Sequence, residues 1–186
     1  MNEFQEKLNK CTNCPYEDYD INWYDENSGC GKLGAFWEEG SSRKIMVIGQ
    51  NPSHKRWKGT HSLQGSQGDE FRKIFGKENL VYSNFIQVST PDNRVDNFSE
   101  EQIKHCFEHL LYEINTIKPE LIIFCSRYAE NKIKQFSLCD DLRKTNAHVY
   151  FINHPDYYFK YGRGKKEDYI NKLLEIKTEA QCLQIL

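Results

Sequence analysis

The chain has 186 residues, a comfortable length for one domain and a short one for two. Hydrophobic residues make up 38% and charged residues 28%, and 25 Lys plus Arg stand against 27 Asp plus Glu, for a formal net charge of -2. That balance supports a packed core and excludes a uniformly basic coat, while leaving room for a basic patch on one face. No apolar run reaches the roughly 20 residues of a membrane helix, the longest strand-like one being Leu121 to Cys125. Met1-Asn2-Glu3-Phe4-Gln5-Glu6 shows no apolar stretch behind a basic head, so a cytosolic chain without a secretory signal is expected.

Residues 1 to about 40 are polar, aromatic and glycine-bearing, and read as an N-terminal lobe of the single domain 1–186, held by something other than a large core. Cys11 and Cys14 form a CxxC there, and Cys30 follows. The total of seven cysteines is odd, which excludes a fully paired disulfide framework and favours a metal or iron–sulfur site built from a subset. Cys125, Cys139 and Cys182 are expected to be small buried hydrophobes.

Four short apolar runs follow: Ile45 to Ile48, Leu80 to Tyr82 continuing to Phe85-Ile86, Leu121 to Phe124, and Val149 to Ile152. Apolar on both faces, they suit parallel strands covered by helices. Between them the pattern predicts helices at about 69–75, 128–135 and 167–176. The clearest helix opens at Ser99-Glu100-Glu101-Gln102, a capping-box pattern. It carries Ile103, Phe107, Leu110, Leu111 and Ile114 at helical spacing and stops before Pro119. The alternation predicts a three-layer α/β/α sandwich around a mostly parallel four-stranded sheet. In such sheets chemistry gathers beyond the carboxyl ends of the strands, here Gly49-Gln50-Asn51-Pro52-Ser53-His54, Asn84, and Asn153-His154-Pro155-Asp156.

Read together, these strand ends resemble the uracil-DNA glycosylase superfamily. Gly49-Gln50-Asn51-Pro52-Ser53 is similar to the family's water-activating motif in its Asn-bearing form. Val81-Tyr82-Ser83-Asn84-Phe85, then Pro91-Asp92-Asn93-Arg94 and a helix bearing Cys106, resemble the corresponding block of the iron–sulfur branch, and His154-Pro155 resembles the family's His-Pro loop. The resemblance runs from about Cys11 to Gly164. It implies catalytic roles for Asn51, which would position water, and His154, which would stabilise the leaving base anion. It implies base recognition by Asn84, with Gln50 and Leu63 beside it. Chemically, an imidazole N–H can meet charge developing on a base oxygen. Asn51 can orient water, but unlike a carboxylate it cannot act as a general base. A carboxamide such as that of Asn84 offers one acceptor and one donor group to a pyrimidine edge.

The chain also departs from that branch. Cys11, Cys14 and Cys106 match three of its cluster cysteines, but Val88 occupies the remaining position, and Cys30 is the candidate replacement. A [4Fe–4S] cluster on Cys11, Cys14, Cys30 and Cys106 is the expectation by resemblance, with Zn²⁺ as the alternative. Leu63, in Ser62-Leu63-Gln64-Gly65, stands where that branch has a stacking phenylalanine; His54, Trp57 and His61 precede it. A loosened pocket would admit a modified pyrimidine, such as a modified cytosine in phage DNA. Lys55, Arg56 and Lys58 follow the first motif, and Lys160, Arg163, Lys165 and Lys166 follow the His-Pro. These are candidate phosphate contacts. Tyr157 and Tyr158, with Phe159, either wedge into DNA or pack back on the core.

The expected function is that of a monofunctional DNA glycosylase. It would flip a uracil or modified pyrimidine nucleotide from DNA and hydrolyse its N-glycosidic bond to leave an abasic site, in base-excision repair or in defence against phage. The expected state is a monomer without membrane attachment. The alternative is a DNA-binding module that keeps the fold without the chemistry. A nucleotide-binding enzyme is disfavoured, since no Gly-rich phosphate fingerprint opens the first helix after Ile45 to Ile48.

Overall fold

The computed structural model describes residues 3–12, 32–52, 63, 66–89, 95–96 and 98–186. Four strands, β1 (Ile45–Gly49), β2 (Leu80–Asn84), β3 (Leu121–Phe124) and β4 (His148–Phe151), lie parallel in the order β2-β1-β3-β4. The helices are α1 (Glu3–Asn9), α2 (Ser66–Phe75), α3 (Glu100–Ile117), α4 (Arg127–Gln135), α5 (Cys139–Arg143), α6 (Pro155–Phe159) and α7 (Lys166–Cys182). β1 is flanked by β2 and β3 in matched register, with Gly49 opposite Asn84 and Ile48 opposite Phe124. The strand order therefore reverses direction at β1, and the crevice that opens beyond its carboxyl end is the place where such sheets bind ligands.

Strand alternation divides the core in two. Met46, Ile48, Val81, Ile122 and Phe124 face a cluster closed by Ile103, Phe107, Leu110 and Ile114 of α3, Ala129 and Ile133 of α4, and Leu142 of α5. Ile45, Val47, Leu80, Tyr82, Leu121 and Ile123 face the opposite cluster, closed by Phe71 and Phe75 of α2 and by Tyr169, Leu173, Ile176 and Ala180 of α7. Each such buried side chain contributes on the order of 1.5–3 kcal/mol relative to exposure. The three-layer arrangement follows directly from strands that are apolar on both faces.

The capping box at Ser99 forms as its sequence predicts. Ser99 Oγ accepts from the Gln102 amide at 3.2 Å, and Gln102 Oε1 accepts from the Ser99 amide at 2.9 Å. At the other end Lys118 takes a left-handed conformation (φ 55°) ahead of Pro119. β4 differs from expectation. It is half-exposed rather than buried on both faces, because among the described residues it is an edge strand whose partner is β3. Phe151 still stacks on Phe124 at 5.1 Å.

The outer edge of β2 is covered by a segment for which the sequence offered no strand pattern. Phe36 and Tyr82 exchange both backbone hydrogen bonds at 3.0 and 2.9 Å, and their rings stack at 5.4 Å. Leu33 donates to the Gln87 carbonyl at 2.8 Å. This pairing closes an edge that would otherwise invite intermolecular pairing. α1 adds Phe4 to the first core cluster, and Gln5 bonds the Lys32 carbonyl and the Gly34 amide. The described residues 3–12 and 32–40 are thus tied to the rest of the fold by backbone pairing as well as by side chains. No helix among the described residues is long and apolar enough to cross a membrane.

Candidate functional site

At the end of β2, Asn84 is buried at 2% exposure, and its Oδ1 has no hydrogen-bond partner among the described residues. Gly49, its register partner, makes that placement possible: a Cβ on Gly49 would lie 2.8 Å from Asn84 Oδ1 and 3.6 Å from Leu63 Cδ1. Leu63 is itself buried and held from behind. Its carbonyl accepts from Arg72 Nη1 at 3.1 Å, and the absence of a side chain at Gly68 lets the turn close on it. Gly49, Leu63 and Asn84 therefore form one wall. An unpartnered buried carbonyl costs on the order of 1–3 kcal/mol, which a ligand donor would offset.

Beside this wall, Gln50 and Asn51 follow β1. The Gln50 carbonyl accepts from the Ile86 amide at 2.8 Å, extending the β1–β2 ladder beyond the strand and fixing the turn. Gln50 Nε2 donates to Asn51 Oδ1 at 3.3 Å, and Asn51 Nδ2 donates to the Pro52 carbonyl at 3.1 Å. The Asn51 carboxamide is thus buried and oriented from two sides.

Beyond β3, Ser126 caps α4 by accepting from the Ala129 amide, and its hydroxyl lies 3.5 Å from Gln50 Oε1. The next residue, Arg127, is exposed and donates to Asn153 Oδ1 at 2.8 Å, while Asn153 Nδ2 donates to the Tyr158 hydroxyl at 3.2 Å. Polar contacts therefore run across the strand ends from Asn51 to the β4 loop. Ser126 and Arg127 lie in this line of contacts at the candidate site and were not singled out from the sequence. Their signal, a strand followed by Ser-Arg at a helix start, is visible only once β3 is known to lie between β1 and β4.

His154 ends this line. Its Nδ1 accepts from the Asp156 amide at 3.2 Å and so caps α6. A nitrogen that accepts must carry a lone pair, so the neutral ring bears its proton on Nε2. Burial pushes the His154 pKa below the ordinary histidine range; the Asp156 carboxylate opposes that shift and the Lys160 ammonium adds to it. Burial and the amide bond to Nδ1 both favour a neutral imidazole, whose N–H then sits at Nε2.

α6 settles where the aromatics of this loop lie. Tyr158 packs back, its ring 5.2 Å from Tyr169 and 5.1 Å from Tyr157. Phe159 is 39% exposed and Tyr161 more so at 59%, with the Lys160 ammonium 5.5 Å and the Arg163 guanidinium 5.8 Å from the Tyr161 ring centre. Tyr161 was not among the sequence candidates, because only the formation of α6 separates it from the inward-facing Tyr158. Lys55, Arg56, His54, Trp57 and His61 lie outside the described residues, as do Cys14, Cys30 and Pro91 to Arg94.

The cysteines sort differently from expectation. Cys125 is buried in the core, Cys139 is half-buried, and Cys182 is exposed at the end of α7, so the reading of Cys182 as buried is corrected. Cys106 packs against the first core cluster and neighbours Tyr128, whose hydroxyl is pushed up to about 12 by burial and then by Cys106. Cys11 instead meets His105 and His109 of α3, the three ligand atoms lying within 4.8 Å of one another. Burial pushes His109 down to about 4, helped by the nearby His105 ring and the Lys7 ammonium. This Cys/His/His group can hold a metal ion, and the histidines were not anticipated.

A family model described as Uracil DNA glycosylase superfamily matches residues 37–176. No curated protein gives a significant match to the chain.

Proposed function

The chain belongs to the uracil DNA glycosylase superfamily, and from that premise we infer that it is a monofunctional DNA glycosylase excising uracil or a modified pyrimidine. The observation that carries this reading is Asn84, whose buried Oδ1 stands without a partner among the described residues at the mouth of the sheet. A pyrimidine flipped from DNA would offer its ring or exocyclic N–H to that oxygen and a carbonyl to Asn84 Nδ2. Leu63 and Gly49 would form the apolar floor beside it.

The chemistry divides among the strand ends. Breaking the N-glycosidic bond leaves negative charge on the base, and the Nε2–H of a neutral His154 is suited to donate to the base oxygen where that charge develops. Asn51, oriented by Gln50, would hold the attacking water without removing its proton. Such a site would lean on leaving-group stabilisation more than on water activation. Tyr161, Lys160 and Arg163, with Arg127 nearer the crevice, fit the DNA face: cations for phosphates and an exposed ring for base stacking. No lysine is placed as a Schiff-base nucleophile among the described residues at the strand ends, which favours hydrolysis over lyase chemistry. The substrate's place is either repair of deaminated DNA or attack on phage DNA carrying modified pyrimidines.

One observation favours the second reading, a binding module without chemistry: both ends of the Asn51 carboxamide already bond within the protein. The two readings separate on one experiment. Oligonucleotides with uracil or modified pyrimidines are incubated with the protein and with His154→Ala, then treated with alkali to cleave abasic sites. Cleavage that disappears in the variant supports the glycosylase, and its base dependence identifies the substrate. DNA bound without base release from any substrate assigns the binding module.

A further inference from the structure

Of the four cysteines expected to hold a cluster, Cys11 and Cys106 lie among the described residues, and the group of ligand atoms found there includes Cys11 and not Cys106. A [4Fe–4S] cluster is held by four thiolates, yet Cys106 packs against the first core cluster while Cys11 lies against two imidazoles. Among the described residues, one thiolate with two imidazoles is the donor set of a borderline divalent ion. We propose that Cys11, His105 and His109 ligate a single Zn²⁺ ion that fastens the N-terminal lobe to α3.

The distances fit such an ion. In a tetrahedral zinc site, sulfur and nitrogen ligands sit about 3.5 Å apart, as bond lengths near 2.3 and 2.0 Å require. Cys11 Sγ and His105 Nε2 are 3.3 Å apart, and no pair in the group exceeds 4.8 Å. His105 and His109 are one turn apart on α3, ring centres 4.8 Å from each other, so the helix backbone fixes their spacing.

Two details point to a cation at this spot. His105 Nδ1 lies 3.2 Å from Glu108 Oε2, which favours the tautomer that donates its Nδ1–H to the carboxylate and turns the Nε2 lone pair toward Cys11. This is the outer-sphere arrangement that orients metal-binding histidines. The second detail is His109 Nε2, which is buried and has no hydrogen-bond partner among the described residues. A ligated ion would satisfy it.

The ion would also do structural work. Cys11 follows α1 and donates its amide to the Leu8 carbonyl at 3.0 Å, while its own carbonyl accepts from buried Lys32, next to the segment that covers β2. Fixing Cys11 to α3 would lock both α1 and the covering segment. Zinc binding to such a site is folding energy for the part it joins. The inference does not depend on the glycosylase reading and can fail without it.

The full-length protein, expressed with both iron and zinc supplied and purified without chelator under anaerobic conditions, is assayed for metal content and visible absorbance. About one zinc per chain without cluster absorbance is expected. The metal should be lost in His105→Ala and in His109→Ala, and retained in Cys106→Ala. Because the histidine variants could misfold, Glu108→Ala supplies a second arm: this exposed residue touches no core, and its loss should weaken zinc affinity about 10–100-fold with an unchanged circular dichroism spectrum. Iron with cluster absorbance, zinc that survives both histidine substitutions in folded protein, zinc lost with Cys106, zinc affinity unchanged in Glu108→Ala, or protein devoid of metal would each overturn the proposal.

Discussion

The side-chain oxygen of Asn84 occupies the space that a side chain on Gly49 would need, 2.8 Å from the position of such a Cβ. β1 and β2 meet there in register, and the absence of a Cβ lets the Asn84 carboxamide approach the adjacent strand closely. Gly49→Ala should therefore act through Asn84. Overpacking at a buried site costs about 1–3 kcal/mol, so the thermal midpoint should fall modestly. A displacement of the recognition group near 1 Å should lower base excision about 10²-fold. Excision kinetics beside a melting curve check this; a variant that melts lower while excising at the wild-type rate would show that Asn84 does not read the base.

The strands were legible because each is a short apolar run, and a parallel sheet buries both faces of such runs. Ser99 and Gln102 announced α3 by local chemistry alone. His154 was legible as a strand-end histidine, but its tautomer was not, because that depends on α6 forming and presenting the Asp156 amide. The Cys/His/His group escaped notice for a related reason. His105 and His109 show the one-turn spacing of a helical ligand pair, yet Cys11 lies 94 residues from His105 in the chain, and only the packing of α1 against α3 brings them together. Long-range convergence of that kind leaves no local pattern to read.

The capping box at Ser99 offers a test of the fold that is separate from function. Ser99→Ala removes the acceptor for the Gln102 amide at the start of the helix that closes the first core cluster. Loss of such a cap costs about 0.5–2 kcal/mol. Urea unfolding should show a lower midpoint at unchanged slope, with excision at 25 °C preserved. An unchanged midpoint would mean that water replaces the serine without cost.

Glu113 is a buried carboxyl on α3, facing the back of β2. It accepts from the Ala35 amide at 2.8 Å and the Ser83 hydroxyl at 2.6 Å, and burial pushes its pKa up to about 7 despite these bonds. A pKa raised on folding means that the native state favours the protonated form. The associated stability is fully present below the unfolded value near 4.5 and is lost as pH rises to about 7. Glu113→Gln keeps an acceptor for Ala35 and cannot ionise. Relative to wild type, the variant should gain stability between those two values, by on the order of 3 kcal/mol at most. Denaturant titrations across this range check it; a constant difference would mean that Glu113 ionises freely in the fold.

In the proposed reaction, His154 would tie activity to pH with a definite sign. Protonation would place a second proton on Nδ1 and break the bond from the Asp156 amide; that loss and burial both disfavour the imidazolium, and together they outweigh the Asp156 carboxylate 3.9 Å from Nδ1, which favours it. Excision should therefore hold steady as pH falls through the ordinary histidine value near 6.5 and decline only below it. His154→Ala should lower the rate about 10²–10³-fold, the usual cost of removing one donor to a developing anion. His154→Gln, which can still donate, should recover part of that loss and flatten the acid limb. A profile that instead falls with a midpoint at 6.5 or above would show the ring titrating as an exposed histidine. The acid limb in wild type, compared with its absence in His154→Gln, separates this group from every other titrating residue in the crevice.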